Sequence, residues 1–210
     1  MKIKFNNPAK VPARPERPFP KTEILWGSQD GGSSRFPDGM EAVSLRRFSG
    51  DPTPLKAFGR AVSEAVERVW IVDEYFLMPD NKIPPKTRIN KILEWLHVDL
   101  VASDIRILTK PHQEIDSDMI SEFQKRADEI NKRPARKLKQ CCIDVRTHLK
   151  DRFDYVHDRF AVVDDELWHF GGTAGGFHAK VSAASRGWRA SDHGAIEFFE
   201  LAWRVEGGKC

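Results

Sequence analysis

The sequence predicts an α/β domain, a mixed, largely parallel sheet flanked by helices. Two observations predict it. Short segments that are apolar on successive residues alternate with segments whose apolar residues recur every three or four positions, the pattern of covered strands and their crossover helices. The pattern then changes to two short apolar runs joined by a polar turn and closed by Gly171-Gly172, which reads as a hairpin ending in a glycine loop. A chain of 210 residues, 40% hydrophobic and 31% charged, suits one such domain with additional segments.

From the start, residues 1–40 are rich in proline and in turn formers such as Gly-Ser-Gln-Asp-Gly-Gly-Ser-Ser, and they lack helical periodicity. They read as an extended, basic arm, with the folded domain covering 41–210. From Val43 a short strand, VSLRRF, is expected. Asp51-Pro-Thr53-Pro54 then opens a helix whose Leu55, Phe58, Val62, Ala65, Val66 and Val69 fall on one face. Val69-Trp70-Ile71-Val72 reads as a strand covered on both sides, ending in Asp73, Glu74 and Tyr75; ligands tend to sit beyond the carboxyl ends of such strands.

Pro84-Pro85 leads into a helix with Ile89, Ile92, Leu93 and Leu96 on one side, and Ile105–Leu108 closes a βαβ unit with the usual right-handed crossover. Ile120, Phe123, Ala127 and Ile130 mark the next helix, which stops near Pro134, and Cys142–Arg146 is the next strand. The hairpin runs from Tyr155 to Val163, turns at Asp164-Asp165-Glu166 and returns through Leu167–Phe170. A last helix covers Ala195–Trp203, with Ser191 or Asp192 as its cap.

No stretch approaches the roughly 20 uncharged apolar residues of a membrane-crossing helix, and no apolar segment follows the first lysines as in a secretory signal. Of the three cysteines, Cys141 and Cys142 are adjacent and Cys210 is terminal, a spacing that suits neither a disulfide framework nor a metal knuckle. A reducing cytoplasm is therefore expected. His169, His178 and His193 likewise lack metal-ligand spacing, so no metal is expected. The net charge of +3 is uneven: residues 1–21 carry six Lys/Arg against one Glu, leaving 28 basic and 30 acidic residues elsewhere. A second basic cluster, Lys125 to Lys139, is either a phosphate-contacting surface or a solvated helix end.

The chemistry concentrates at His157 and Arg159. In an extended segment these i and i+2 side chains share a face about 7 Å apart, so both can converge on one phosphate. An imidazole can attack phosphorus, and a guanidinium beside it can hold two phosphate oxygens. Extended, the pattern is His157, Arg159, Asp164 after four residues, Gly171 after six more, then Gly172, Thr173 and Ala174.

This pattern resembles the phospholipase D superfamily signature H-x-K-x4-D-x6-G-S-x-N, with Arg159 at the lysine position and the departures Gly172 and Ala174 at the serine and asparagine positions. The series of alternating elements around it, from about Val43 to Trp203, is similar to one half of that superfamily's αβα sandwich. The resemblance implies a metal-independent phosphodiesterase, needing no cofactor, that works through a phosphohistidine intermediate. His157 would be the nucleophile, Arg159 the phosphate clamp and Asp164, or less so Asp165, the residue that orients His157. Gly171, Gly172 and Thr173 would touch substrate, with Thr173 supplying a displaced hydroxyl.

The superfamily builds one site from two motifs, and this chain has one motif and no internal repeat, so a homodimer is implied. A late acidic residue near the site is also implied, with Asp192 and Glu197 as candidates. Nucleic acid, DNA before RNA, is favoured over lipid because the basic segments suit a polyanion. Trp188 is kept as a base-stacking residue. The glycines 171, 172, 175 and 176 either approach phosphate through their amides or simply turn the chain. His148-Leu-Lys150 and His178-Ala-Lys180 are further H-x-K triplets, set aside because Tyr155 and Ser185 stand at the aspartate position. The departures at Gly172 and Ala174 keep a second reading open: a catalytically weakened member that binds nucleic acid or serves as a subunit of a larger assembly.

Overall fold

The structure, a computed structural model, describes residues 18–26, 38–49, 53–79, 83–113, 115–175 and 182–204. Most of the expected arm, together with Gly176, His178, Lys180 and Cys210, lies outside the described residues. In chain order the elements are β1 (Glu23–Leu25), α1 (Met40–Ser49), α2 (Thr53–Glu64), β2 (Arg68–Val72), α3 (Pro85–Trp95), β3 (Asp104–Leu108), α4 (Ser117–Asn131), β4 (Cys142–Arg146), α5 (Leu149–Arg152), β5 (Phe160–Val163), β6 (Glu166–Phe170), β7 (Ala184–Arg189) and α6 (Ala195–Arg204).

Alternation in β2 explains the two-sided core. Val69 and Ile71 face a cluster that includes Phe58 and Val62 of α2, Ile89 and Ile92 of α3, and Phe123 of α4. Trp70 and Val72 face a second cluster built on α5 and α6, where Trp70 stacks on Phe199 at 4.8 Å and Phe199 on Trp203 at 5.6 Å. Covered on both faces, β2 needs apolar residues at successive positions, which is how its sequence reads. Local signals place the helices: Pro85 occupies the first turn of α3, and the Asp116 carboxylate caps α4 by accepting the Met119 N–H at 2.8 Å.

The seven strands form one mixed sheet in the order β1-β7-β6-β5-β2-β3-β4. β2, β3 and β4 are parallel, and the remaining neighbours are antiparallel. The parallel part is thus smaller than the sequence implies, because β7 and β1 extend the antiparallel half and carry no legible alternation. Two further expectations are corrected. Val43–Phe48 is helical, within α1: Met40, Glu41 and Ala42 are strong helix formers, and the Val43 N–H bonds the Gly39 carbonyl. Ser191 and Asp192 do not cap α6; they form a 3-10 turn, and Gly194, at φ 66°, separates it from the helix.

β1 closes one end of the sheet, its Glu23 opposite Arg186. The chain just before β1 runs so close to β7 that a Cβ on Gly187 would lie 2.6 Å from the Lys21 carbonyl oxygen, and Gly187 has φ 95°.

Strand direction decides what meets at each edge. β2, β3, β4 and β6 end at one edge, and β5 begins there, so residues 73–75, 109–112, 147–150, 157–159 and 171–175 gather together.

Candidate active site

The site is built on the end of β2. Asp73 is fully buried. Its Oδ2 accepts the Thr173 hydroxyl at 2.6 Å and the Ala174 N–H at 2.7 Å, and its Oδ1 accepts the Tyr75 N–H at 2.9 Å. Burial pushes the Asp73 carboxyl above its ordinary range, against these hydrogen bonds and the nearby Arg159 charge. The same bonds tie the glycine loop to the end of β2. In that loop a Cβ on Gly175 would fall 2.0 Å from the Phe76 ring, so this close approach requires glycine.

Glu74 is 2% exposed, whereas the His157 side chain is 73% exposed. Glu74 Oε1 lies 2.8 Å from His157 Nδ1, and Oε2 lies 3.0 Å from Lys150 Nζ and 3.3 Å from Lys110 Nζ. Burial works against ionisation of Glu74, but hydrogen bonds from His157, Lys150 and Lys110 outweigh it and hold the carboxyl down to about 2. An ionised carboxylate only accepts, so Nδ1 donates to it, and in the neutral ring Nε2 keeps the lone pair.

The two lysines differ in what they have left to give. Lys150 also donates to the carbonyls of Asp154 and Val156, both at 2.9 Å, so its three N–H groups are committed to the fold. Among the described residues Lys110 bonds Glu74 alone, and it lies over the Tyr75 ring at 4.2 Å, which leaves donors for an anion. Arg159 lies over the same ring at 4.9 Å, gives one Nη1 hydrogen bond to the Gly171 carbonyl at 3.0 Å, and keeps its Nε 4.0 Å from Asp73. Among the described residues its Nη groups meet no further acceptor, whereas its Nε is buried without one. His112 donates from Nε2 to the Glu74 carbonyl at 3.1 Å, and burial, more than any charge around it, pushes its imidazole below the ordinary histidine range.

His157 and Arg159 are thus anchored on consecutive residues, Glu74 and Asp73, although both precede β5 rather than lie inside the expected strand. Asp164 is elsewhere. It lies at the far end of β5, at φ 56°, and its carboxylate accepts the backbone N–H groups of Val66, Glu67 and Arg68 at 2.7 to 3.2 Å. It fastens the α2–β2 turn, and the orienting contact on His157 comes from Glu74. Asp164→Ala is expected to lower stability by about 2 kcal/mol, because it leaves these amides without their acceptor. Denaturant unfolding reads that loss, and the His157 ring 15N shifts should match those of the wild type.

Other expected contacts fall away from His157. Asp165 accepts from Ser191 and Arg189, and Asp192 belongs to the 3-10 turn after β7, at the opposite edge; Glu197 is in the first turn of α6, which starts from that edge. Trp188 is half-buried near the end of β7, opposite Leu167, again remote from the site edge. The Thr173 hydroxyl is turned to Asp73, and the amides of Gly171, Ala174 and Gly175 are taken by Ala183, Asp73 and Thr173. Gly172 lies half-buried in the same loop.

The Lys125–Lys139 cluster also lies toward the far edge, where α4 leads into the start of β4. Arg136 is buried and donates to the carbonyls of Leu100, Ala102 and Lys139. Lys125, Arg126 and Arg133 pair with Glu122, Glu129 and Asp99. Among the described residues no group of three or more His, Cys, Asp or Glu is placed to hold a metal ion, and no helix is long and apolar enough to cross a membrane.

Glu74, Lys110 and Lys150 are residues of the site that the sequence by itself does not mark as such. The polar end of the β2 segment was a signal for Glu74, but its partner lies 83 residues away. Lys150 belongs to the H-x-K triplet that was set aside, and its His148 donates from Nε2 to the Ala202 carbonyl at 3.0 Å.

The fold and site together define an α/β domain with a histidine–glutamate pair and spare cationic donors at the carboxyl edge of its parallel strands. No family model and no curated protein matches the chain. Among solved structures, it is similar to the archaeal chromatin protein TrmBL2, whose structure is described as showing a novel mode of DNA binding. The identity is 10% and the TM-score 0.45, over 88% of this chain and 52% of that one, so this chain spans about half the length of TrmBL2. It is also similar to NucT from Helicobacter pylori at 10% identity and TM-score 0.48, over 87% of this chain and 95% of that one.

Proposed function

We propose that this chain is a phosphodiesterase acting on nucleic acid, with His157 as nucleophile and Arg159 as phosphate clamp. The observation that carries this reading is the 2.8 Å contact between His157 Nδ1 and the buried Glu74 carboxylate, which leaves the Nε2 lone pair on an exposed ring. Nε2 attacks phosphorus as the bond to the leaving oxygen breaks, and Glu74 offsets the positive charge that develops on the ring. Arg159 and Lys110 hold the non-bridging oxygens. The leaving oxygen takes the Nε2 proton of the facing His157 of a second copy, which enters the step doubly protonated while the attacking ring is neutral. That histidine then removes a proton from water, which displaces Nε2 and releases the phosphomonoester. An exposed His157 suits a site shared by two copies.

One observation favours the weakened reading: the Thr173 hydroxyl is committed to Asp73 and the buried Ala174 offers only its backbone, so at these positions the polar groups of the superfamily's serine and asparagine are not replaced. Rapid quench of the wild-type protein with 32P-labelled DNA in EDTA separates the two. The expected result is a protein-bound label that is stable in alkali and lost in acid, formed before product. DNA that is bound but neither cleaved nor transferred overturns the enzymatic reading in favour of a binding subunit.

A further inference from the structure

We infer that Tyr155 is a base-stacking platform and that the polymer held beside His157 is single-stranded nucleic acid. Resting on the nucleic-acid reading above, this gives the bases of the polymer, and not only its phosphates, a place on the protein.

Val156 packs against the second core cluster, which turns its two neighbours outward: Tyr155 is 71% exposed and the His157 side chain 73%. An exposed tyrosine ring two residues from a nucleophile needs a reason, and its mounting supplies one. Lys150 Nζ holds the carbonyls of Asp154 and Val156, on either side of Tyr155, with the same ammonium that holds the Glu74 carboxylate behind His157. Beneath the ring, aromatic contacts descend into the core: Tyr155 to Phe153 at 6.5 Å, Phe153 to Phe198 at 5.6 Å, and Phe198 to Phe160 at 6.0 Å. Ring and imidazole therefore share one rigid support.

A ring fixed in this way loses little freedom when a flat partner settles on it. The donors left on Arg159 and Lys110 draw a phosphate to the neighbouring position. A flat apolar face next to a phosphate site matches a nucleotide whose base is free to stack. In a duplex both faces of each base are already covered, so only a single strand can use the platform.

The test compares fluorescein-labelled oligo(dT) with an abasic oligomer of equal length, which keeps the phosphates and lacks the bases. Fluorescence anisotropy is measured on wild type, Tyr155→Ala and Tyr155→Phe. Wild type is expected to bind oligo(dT) on the order of tenfold more tightly than the abasic oligomer. Tyr155→Ala is expected to lose that preference, Tyr155→Phe to keep it, and an oligo(dT)·oligo(dA) duplex to bind less well than the single strand. Equal affinity of wild type for the two single strands, an undiminished preference in Tyr155→Ala, or a duplex that binds as tightly as oligo(dT) would overturn the inference. If neither oligomer binds, the nucleic-acid reading falls with it. Tyr155-dependent binding without any cleavage would leave the platform standing and remove only the enzymatic reading.

Discussion

Under the proposed mechanism, removal of the imidazole in His157→Ala is expected to lower diester turnover by at least about a thousandfold, because it takes away both the proposed nucleophile and its facing counterpart. The stability cost should be small by comparison. The side chain is 73% exposed, and Glu74 Oε2 keeps its contacts to Lys110 and Lys150. Only Oε1 loses its partner, at a cost of about 1–2 kcal/mol. Steady-state hydrolysis of bis(4-nitrophenyl) phosphate in EDTA, alongside denaturant unfolding, separates these effects. Added imidazole should restore part of the turnover. A variant as active as wild type would remove His157 from the chemistry.

Glu74→Ala should damage the protein more deeply, lowering stability by about 3 kcal/mol or more, since two lysines lose the buried charge that holds them. Turnover should fall as well, because nothing then fixes the His157 proton on Nδ1. Glu74→Gln gives a sharper signature in pH. The Glu74 carboxyl is held down to about 2 from an ordinary value of 4.5. A carboxylate lowered in the folded state contributes its full stability above the unfolded value and loses it as pH falls through the folded one. Wild type should therefore lose stability from roughly pH 5 down to 2, and Glu74→Gln should lack that portion of the acid limb. Coincident acid unfolding of the two proteins would show that Glu74 does not carry this charge network.

The parts of the fold legible in the sequence are those where one residue period repeats over a whole element. The strands β2 to β4 and the helices α3 and α4 fall where apolar spacing places them. The run from Val43 reads as a strand by itself and is helical because Met40-Glu41-Ala42 start α1 ahead of it. β7 escaped because two arginines and a glycine fill a six-residue strand, which is held by neighbours instead of by its own apolar face. The site divides in the same way. His157 and Arg159 stood out through local spacing, whereas Glu74, Lys110 and Lys150 reach them only through the order of strands. Asp164 kept its motif position yet turned to backbone amides, because the β5–β6 turn carries it to the far edge.

The pairing of Glu23–Leu25 with Ala184–Arg189 has a bearing on synthesis. About 160 residues separate the two segments, so a chain leaving the ribosome carries its first strand without a mate until most of the domain has emerged. Formation of that last ladder is therefore a late event, and until then the rim of the growing sheet lies open to other chains.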